Sequence, residues 1–303
     1  MAAISSVHGG LTARLAHFYR RSEGARGLVL LSPTMLIMLA ALAAPLALLA
    51  LYSFWTQQGY VLNTQFTLAQ YATSLGRATY RELFYRSIEI SSLVTLITVL
   101  LAYPMAYFVA FRVEKSKFIW LILLTIPFWT SYLLRVFAWK LILGYNGVIN
   151  SGLMSLGIIH QPLEFLLYNP TAVVVTLAHA WAPFAILPIY VSLEKIDRSL
   201  LEAGANLGDG PLRRFLRITL PLSLPGVIAA AVMIFVPTTG DYVTPSLVGG
   251  SNGVMIANFI EVQFDKIGNW PLGAALAMAS MAAVGIATLL FVAAMRAAAA
   301  RIR

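Results

Sequence analysis

The chain has 303 residues, of which 59% are hydrophobic and only 11% are charged, and it carries a formal net charge of +9. Because soluble chains average about 25% charged residues and need polar side chains to cover their surface, this composition excludes a soluble domain, a disordered segment and a nucleic-acid-binding protein. The absence of cysteine further excludes thiol catalysis, a disulfide framework and cysteine-held metal, and the whole composition predicts a protein embedded in lipid.

Six apolar stretches are long enough to cross a bilayer, which requires about 20 helical residues. In chain order, the predicted spans are 28–51, 88–111, 118–143, 171–191, 220–236 and 272–295. The first stretch exceeds the apolar core of a signal peptide, which is about 7–15 residues, so we expect it to remain as a helix. These spans predict one membrane domain over 28–295, between an N-terminal arm (1–27) and a C-terminal tail (296–303).

The distribution of lysine and arginine predicts the orientation of the spans. Most basic residues precede span one, separate spans two and three or four and five, or follow span six. They are Arg14, Arg20, Arg21, Arg26, Arg112, Lys115, Lys117, Lys195, Arg198, Arg213, Arg214, Arg217, Arg296, Arg301 and Arg303. Since basic loops stay in the cytoplasm, both termini are expected there.

Patterns typical of enzymes are missing from the sequence. It contains no His-Glu-x-x-His zinc motif and no Gly-x-Ser-x-Gly nucleophile elbow, and Lys115-Ser116 lacks the glycines of a phosphate-binding loop. His179, the only histidine inside a span, is expected to make a packed polar contact. We therefore expect no catalytic residue, no metal and no cofactor, and ATP hydrolysis, if transport requires it, must occur on a separate chain.

The cytoplasmic segment between spans four and five has its own pattern. Ser199 with Glu202 predicts a capping box at a helix start, Gly208 a helix stop, and Pro211 the first turn of a second helix. Leu200, Leu201, Ala203 and Leu207 give the first helix an apolar side. The residues alone leave open whether this pair of helices is an amphipathic surface hairpin or a docking element.

The same segment resembles the EAA motif of ABC importer permeases, written EAA-x3-G-x9-I-x-LP. The spacing of Glu202-Ala203-Gly204, Gly208 and Ile218-x-Leu220-Pro221 matches it throughout, and Gly204 replaces the usual alanine. This resemblance implies that 196–219 is a coupling segment that fits a groove on an ATP-binding subunit. The residues it assigns to coupling are Glu202, Ala203, Gly204, Gly208, Leu212, Ile218 and Pro221.

Three further segments resemble spermidine/putrescine permeases: 127–135, 146–150 and 269–271. The resemblance implies an all-α membrane protein with the type I ABC importer permease fold, six transmembrane helices and a cytoplasmic coupling helix between spans four and five. It further implies a multi-pass permease of a bacterial inner membrane that imports polyamines or a related small cationic amine. Import of another small solute and secondary transport are the alternatives, although no internal repeat or midplane carboxylate favours a secondary transporter.

The resemblance also implies the partners. These are two copies of an ATP-binding ABC subunit, a second permease that we expect to be a paralogue, and an extracytoplasmic substrate-binding protein. Membrane lipid is expected around the spans, and no nucleic acid is expected to bind.

Four residues are the candidates for the substrate pathway: Asp241, Tyr242, Trp129 and Glu89. Asp241 follows Pro221 by 20 residues, a helical rise of about 30 Å, which predicts a position near the outer mouth. Tyr242 can offer an aromatic face to an ammonium group, and Glu89 is expected at the outer end of span two. Asp241 could instead only cap the turn after Gly240, and the sequence leaves both roles open.

Two cations are predicted within span three, Arg135 and Lys140. A charge at the centre of a bilayer costs roughly 2.5–3.5 kcal/mol, so neither is expected to face lipid. Arg135 is expected to serve structure, because a cation that lines the path of a polycation would repel it. Lys140 lies close enough to the outer end to extend its amine into the interface.

Overall fold

A computed structural model of the chain describes residues 23–59 and 61–302, and nearly all of these residues are helical. They divide into two units, one up to Tyr52 and one from Ser53 onward. Helix α1 (Glu23–Ser53) accounts for the described part of the first unit. Residues 1–22 lie outside the described part of the chain, and with them most of the predicted N-terminal arm, including Arg14, Arg20 and Arg21.

The second unit begins with a small hairpin and continues through the middle spans. Strand β1 (Thr56–Gln58) pairs antiparallel with β2 (Val61–Asn63), with Thr56 opposite Asn63. The helices that follow are α2 (Ala69–Gly76), α3 (Ala78–Phe111), α4 (Lys117–Thr125), a 3-10 turn (Ile126–Trp129), α5 (Tyr132–Leu143), α6 (Val148–Ser155), a 3-10 turn (Glu164–Leu166) and α7 (Pro170–Glu194).

The C-terminal half contains the coupling segment and the last two spans. Its elements are α8 (Arg198–Asn206), α9 (Pro211–Arg214), a π-helical turn (Phe215–Thr219), α10 (Leu220–Thr239), α11 (Val243–Val248), α12 (Ile256–Val262), a π-helical turn (Gln263–Ile267) and α13 (Trp270–Ile302). Helix α13 runs on through 296–302, so the described part of the predicted tail extends the last span.

Within the described residues, five helices are long and apolar enough to cross a membrane, and a bent pair gives a sixth span. The five are Val29–Ser53, Ala78–Phe111, Pro170–Glu194, Pro211–Thr239 and Trp270–Ala297. The bent pair joins Lys117–Trp129 to Tyr132–Ser155 at 84°. This arrangement matches the predicted all-α fold of six spans.

The prediction that 118–143 forms one continuous helix is wrong. Pro127 cannot donate a helical hydrogen bond, and the chain tightens there into the 3-10 turn Ile126–Trp129. Thr130 then adopts an extended conformation, with ψ at 154°, before α5 starts at Tyr132. The break places the two halves of span three at a steep angle and leaves backbone carbonyls without helical donors.

The core of the second unit lies where α3, α7 and α10 pack against one another. Val94, Leu177, Ile189 and Ile234 are fully buried there. A Cβ atom at Gly226 would lie 2.5 Å from the carbonyl oxygen of Pro188, so only glycine permits this close approach of α10 to α7. These three helices hold the span-three break and the chain after α10 in fixed positions.

Candidate functional site

The first helix of the coupling segment is capped by Asp197. Its carboxylate accepts the backbone N–H of Ser199 at 2.9 Å, and α8 starts at Arg198. The predicted capping box of Ser199 and Glu202 is therefore wrong, because Asp197 already supplies the acceptor two residues earlier. The hydrogen bond from the Ser199 backbone favours the charged carboxylate and lowers the pKa of Asp197 below its ordinary value.

The helix stop at Gly208 and the helix start at Pro211 are confirmed. Gly208 has φ of 84°, and its N–H donates to the Ala205 carbonyl at 2.9 Å. The N–H of Asp209 donates to the Gly204 carbonyl at 3.0 Å. These two bonds form a Schellman motif, which satisfies the last carbonyls of α8 and turns the chain toward α9.

Contacts around Gly204 join the two short helices. Gly204 is buried, and a Cβ atom there would lie 2.9 Å from Ile218 Cδ1 and 3.3 Å from Arg214 Cγ. Arg214 Nη1 donates to the Leu201 carbonyl at 3.3 Å. Arg217 and Asp209 form an exposed ion pair at 3.6 Å. Hence two parts of the EAA-like motif that lie 14 positions apart pack directly against each other.

The opposite side of this segment is an exposed apolar surface, called here the coupling surface: Ala203, Leu207, Leu212 and Leu216. Leu207 is 86% exposed and Leu212 is 69% exposed. Glu202 is also exposed, next to Ala203. Of the apolar side predicted for α8, Leu200, Ala203 and Leu207 are exposed and Leu201 is half-buried, and the buried contact is made by Gly204 instead. These side chains are available for contact with a partner.

A second candidate site is a cavity of about 280 Å³ between span three, α7 and the end of α10, called here the Asp241 pocket. Four aromatic rings, one carboxylate and one guanidinium meet in it. The lining residues are Phe128, Tyr132, Arg135, Ala180, Trp181, Phe184, Pro237 and Asp241. Ala180 lies ten residues from the Pro170 end of α7, which is about 15 Å along the helix axis.

Asp241 lines the same cavity as Ala180 of α7, and its position near the outer mouth stays a prediction. Asp241 Oδ1 accepts the N–H of Val243 at 2.9 Å and that of Thr244 at 3.4 Å, which secures the start of α11. Asp241 Oδ2 accepts the phenol O–H of Tyr132. Within the described residues, no lysine, arginine or histidine nitrogen lies within ion-pair distance of this carboxylate.

Arg135 is buried, 8% exposed, and thus does not face lipid, as predicted. Its guanidinium donates to the carbonyl of Ala180 at 3.1 Å, and to those of Thr130 and Phe128 at 3.3 and 3.5 Å. It also lies 5.4 Å from the centroid of the Phe128 ring. Arg135 therefore satisfies two carbonyls freed by the span-three break and ties that break to α7.

A larger cleft of about 840 Å³, called here the acidic cleft, lies between the end of α10, α12 and α13. Tyr242, Phe264, Glu261 and Asp265 line it, together with helix residues of α13. Gly240 also lines this cleft, so the Asp241 pocket and the acidic cleft flank the same turn. The two negative charges and two rings provide a surface that attracts cations.

The remaining pathway candidates lie outside both cavities. Trp129 is 77% exposed, while its neighbour Phe128 faces the Asp241 pocket. Glu89 is exposed on α3, which begins at Ala78, ten residues before the predicted start of this span. Glu89 lies 22 residues before the end of α3 at Phe111, about 33 Å along the helix, and its place at the outer end of the span stays a prediction. The structure brings Asp241 and Tyr242 to one turn, but it brings neither Trp129 nor Glu89 to that turn.

Comparison with known proteins identifies the family. Residues 33–303 match the family described as the binding-protein-dependent transport system inner membrane component. The chain belongs to this family. It is the membrane-spanning permease subunit of a transport system of the inner membrane, and not an enzyme.

Several curated permeases are similar to this permease over most of their length. The spermidine/putrescine transport system permease protein PotB of Escherichia coli K12 is 37% identical over 226 residues, covering 75% of this chain and 82% of that one. PotB of Haemophilus influenzae is 34% identical over 235 residues, covering 77% and 82%. The inner membrane ABC transporter permease protein YdcU of Escherichia coli is 32% identical over 266 residues, covering 83% of both.

The fold of the permease is shared with a solved importer. A crystal structure of a bacterial ABC transporter involved in the import of the acidic polysaccharide alginate matches with a TM-score of 0.72 and 16% identity, covering 93% of this chain and 98% of that one. That transporter is involved in importing an anion, so the shared fold does not by itself decide the charge of a substrate.

Sequence reasoning did not identify three side chains that line the Asp241 pocket, Tyr132, Trp181 and Phe184, or the hydroxyl of Thr244 that bonds to Tyr132. Tyr132 and Arg135 are one helical turn apart at the start of α5, which was a signal that both face one way. Trp181 and Phe184 have the same spacing on α7. No local pattern indicates that Thr244, 112 positions from Tyr132 in the chain, bonds to its phenol.

Proposed function

We propose that the chain is the permease subunit of an ATP-driven importer of polyamines, such as spermidine or putrescine, or of a related small cationic amine. The observation that carries the substrate class is the Asp241 carboxylate, which forms no ion pair with any described residue and lines a pocket of aromatic rings. The names of the PotB relatives support the same class.

A carboxylate beside aromatic faces suits an ammonium group. The carboxylate supplies a charged hydrogen-bond acceptor, and each ring adds about 0.5–2 kcal/mol of cation–π attraction. Arg135 contributes one positive charge to the same pocket, but its guanidinium is held by three carbonyls. Since Asp241 is the one carboxylate that lines the pocket, the pocket can accept a single ammonium group. The rest of a polyamine must lie elsewhere.

The acidic cleft is the proposed place for that remainder and for initial attraction. Glu261 and Asp265 lie on it with Tyr242. Negative charge at the wall of a low-dielectric cleft raises the local concentration of cations. Trp129 and Glu89 belong to the proposed pathway only if they face it in the assembled permease pair, since both are exposed in the single subunit.

The coupling surface is proposed to dock an ATP-binding subunit. Its exposed leucines and the exposed Glu202 lie beside the Schellman turn at Gly208, so a rigid element presents them. The proposed assembly contains two ATP-binding subunits, a second permease that is a paralogue, and an extracytoplasmic binding protein. Residues 196–219 then face the cytoplasm, as do the arm 1–27 and the tail 296–303, with the membrane domain at 28–295.

Reconstitution tests the proposal. The permease is purified with its ATP-binding subunit and second permease, inserted into liposomes and supplied with the cognate binding protein. We expect ATP-dependent uptake of putrescine or spermidine in excess over a zwitterionic amino acid and over a sulfonate of similar size. ATP-dependent uptake of the amino acid or the sulfonate without uptake of either amine would contradict the cationic substrate.

A further inference from the structure

We propose that Tyr132 is a displaceable partner of Asp241. In this inference, which rests on the proposed function, the phenol donates to the carboxylate in the absence of substrate and turns to Thr244 when a substrate ammonium group takes its place. Tyr132 is then a positioning residue that sets the affinity for the amine.

The three hydrogen bonds to Asp241 differ in origin. Those from Val243 and Thr244 come from the adjacent backbone at the start of α11, and Asp241 Oδ1 accepts both. The bond to Oδ2 comes from Tyr132, at the start of α5 on the far side of the pocket. An entering ammonium can therefore replace the phenol without disturbing the backbone bonds that secure the turn.

The phenol of Tyr132 has a second partner within reach. Thr244 Oγ1 lies 2.6 Å from the Tyr132 oxygen, and Thr244 is fully buried. A buried hydroxyl that lost its only partner would cost about 1–3 kcal/mol, which would oppose substrate binding. While the phenol donates to Asp241, the Thr244 hydroxyl is the donor of this contact; after displacement the phenol can donate to Thr244 Oγ1 in the reverse direction, so its proton keeps an acceptor and the cost is lower.

Displacement exchanges a neutral donor for a charged one. An ammonium bound to a carboxylate makes a stronger hydrogen bond than a phenol does. The rings of Phe128, Trp181 and Phe184 line the same pocket and favour a cation over water. Arg135 is the other charged residue that lines the pocket, and its bonds to three carbonyls keep it away from Asp241. The site is thereby suited to one primary ammonium.

Two isosteric variants make the inference testable, because they shift affinity in opposite directions. Tyr132→Phe removes the competing donor, so the KM for putrescine uptake by the assembled importer should fall about tenfold, the ratio expected for a hydrogen bond to a charged group. Thr244→Val removes the alternative partner, so displacement becomes harder and the KM should rise about threefold, the ratio for a neutral bond. The double variant should behave like Tyr132→Phe alone.

Tyr145→Phe and Thr176→Val serve as matched controls, since they delete the same groups outside the pocket. A purely structural tie predicts a different result: both pocket variants would lower the amount of assembled complex or the maximal rate, with KM unchanged or shifted in one direction. That result would overturn the inference while leaving polyamine import in place. A parent complex that takes up neither putrescine nor spermidine would overturn the proposed function, and the inference with it.

Discussion

Gly204 and Ile218 lie against each other in the coupling segment, and a Cβ atom added at Gly204 would approach Ile218 Cδ1 to 2.9 Å. The atom it would meet is the far end of a flexible side chain, so a small rotation relieves the contact. The glycine that departs from the EAA-like pattern is therefore located where α8 packs on the start of span five, and the packing has little spare space.

Replacement of Gly204 tests how much space this contact allows. Gly204→Ala gains about 1 kcal/mol of helix propensity, which offsets the displacement of Ile218, so we expect stability and transport close to the parent. Gly204→Val adds two methyl groups to a Cβ atom that would already lie 2.9 Å from Ile218 Cδ1 and 3.3 Å from Arg214 Cγ, so we expect this variant to disrupt the packing. Thermal unfolding in detergent and uptake assays should show a lower unfolding temperature and slower uptake for Gly204→Val than for Gly204→Ala. An equal fall in unfolding temperature and uptake in both variants would contradict this account of the packing.

Gly208 is expected to govern association with the ATP-binding subunit. Its φ of 84° is left-handed, which costs a residue with a side chain roughly 1–2 kcal/mol. Gly208→Leu should therefore distort the Schellman turn and weaken ATPase association about tenfold while the permease still inserts into the membrane. Gly208→Asn, which tolerates this conformation, is the control. Pull-down of the ATPase with each variant measures the effect, and normal association and transport in Gly208→Leu would refute this role.

Arg135 is expected to stabilise the span-three break. Arg135→Met removes the charged donor to the carbonyls of Ala180, Phe128 and Thr130, and a hydrogen bond to a charged group contributes about 1.5–3 kcal/mol. The unfolding temperature of the purified subunit should fall by several degrees. Arg135→Lys keeps the charge but has fewer donors in a different geometry, so its loss should be intermediate. An unfolding temperature above that of the parent in Arg135→Met would show that the buried charge costs more than its bonds contribute.

The charge of Asp241 is expected to matter beyond its turn. Asp241→Asn keeps an oxygen that can accept the Val243 N–H, but it removes the negative charge. We expect the KM for putrescine to rise at least about tenfold, since a charged hydrogen bond is lost, with the amount of folded protein unchanged. Asp241→Ala removes both the negative charge and the acceptor for the Val243 N–H, so we expect it to lower both the affinity for putrescine and the amount of folded protein. Uptake by Asp241→Asn equal to that of the parent, at matched expression, would leave Asp241 with a role only in the turn.

Asp197 should make the stability of α8 depend on acidity. Its pKa is lowered in the folded chain by the Ser199 N–H, so its stabilising contribution is present above the unfolded pKa and is lost as pH falls through the lower, folded pKa. Hydrogen exchange at residues 199–206, corrected for the intrinsic effect of pH, should therefore quicken at strongly acid pH. Asp197→Asn keeps an acceptor without titrating, and it should show no such step.

The composition and the long apolar stretches were enough to predict six membrane-spanning helices, because the thickness of a bilayer fixes the length of each span, whereas the permease fold was implied by the resemblance of 202–221 to the EAA motif. The helix stop at Gly208 and the helix start at Pro211 could also be predicted, since glycine permits a positive φ and proline fixes φ, and both effects are local. The cap of α8 was predicted two residues too late for a reason that is also local, namely that Asp197 and Ser199 are competing caps.

Only the tertiary structure decided where span three breaks and what the break contacts. Pro127 indicates an interruption, but Arg135 donates both to carbonyls of the break, those of Phe128 and Thr130, and to the Ala180 carbonyl of α7, and that bridge depends on how the helices pack. The bonds from Tyr132 to Asp241 and Thr244 likewise join positions more than 100 residues apart. Sequence periodicity fixes which face of a helix is apolar, whereas the contact between two such faces is set by the packing of the whole bundle.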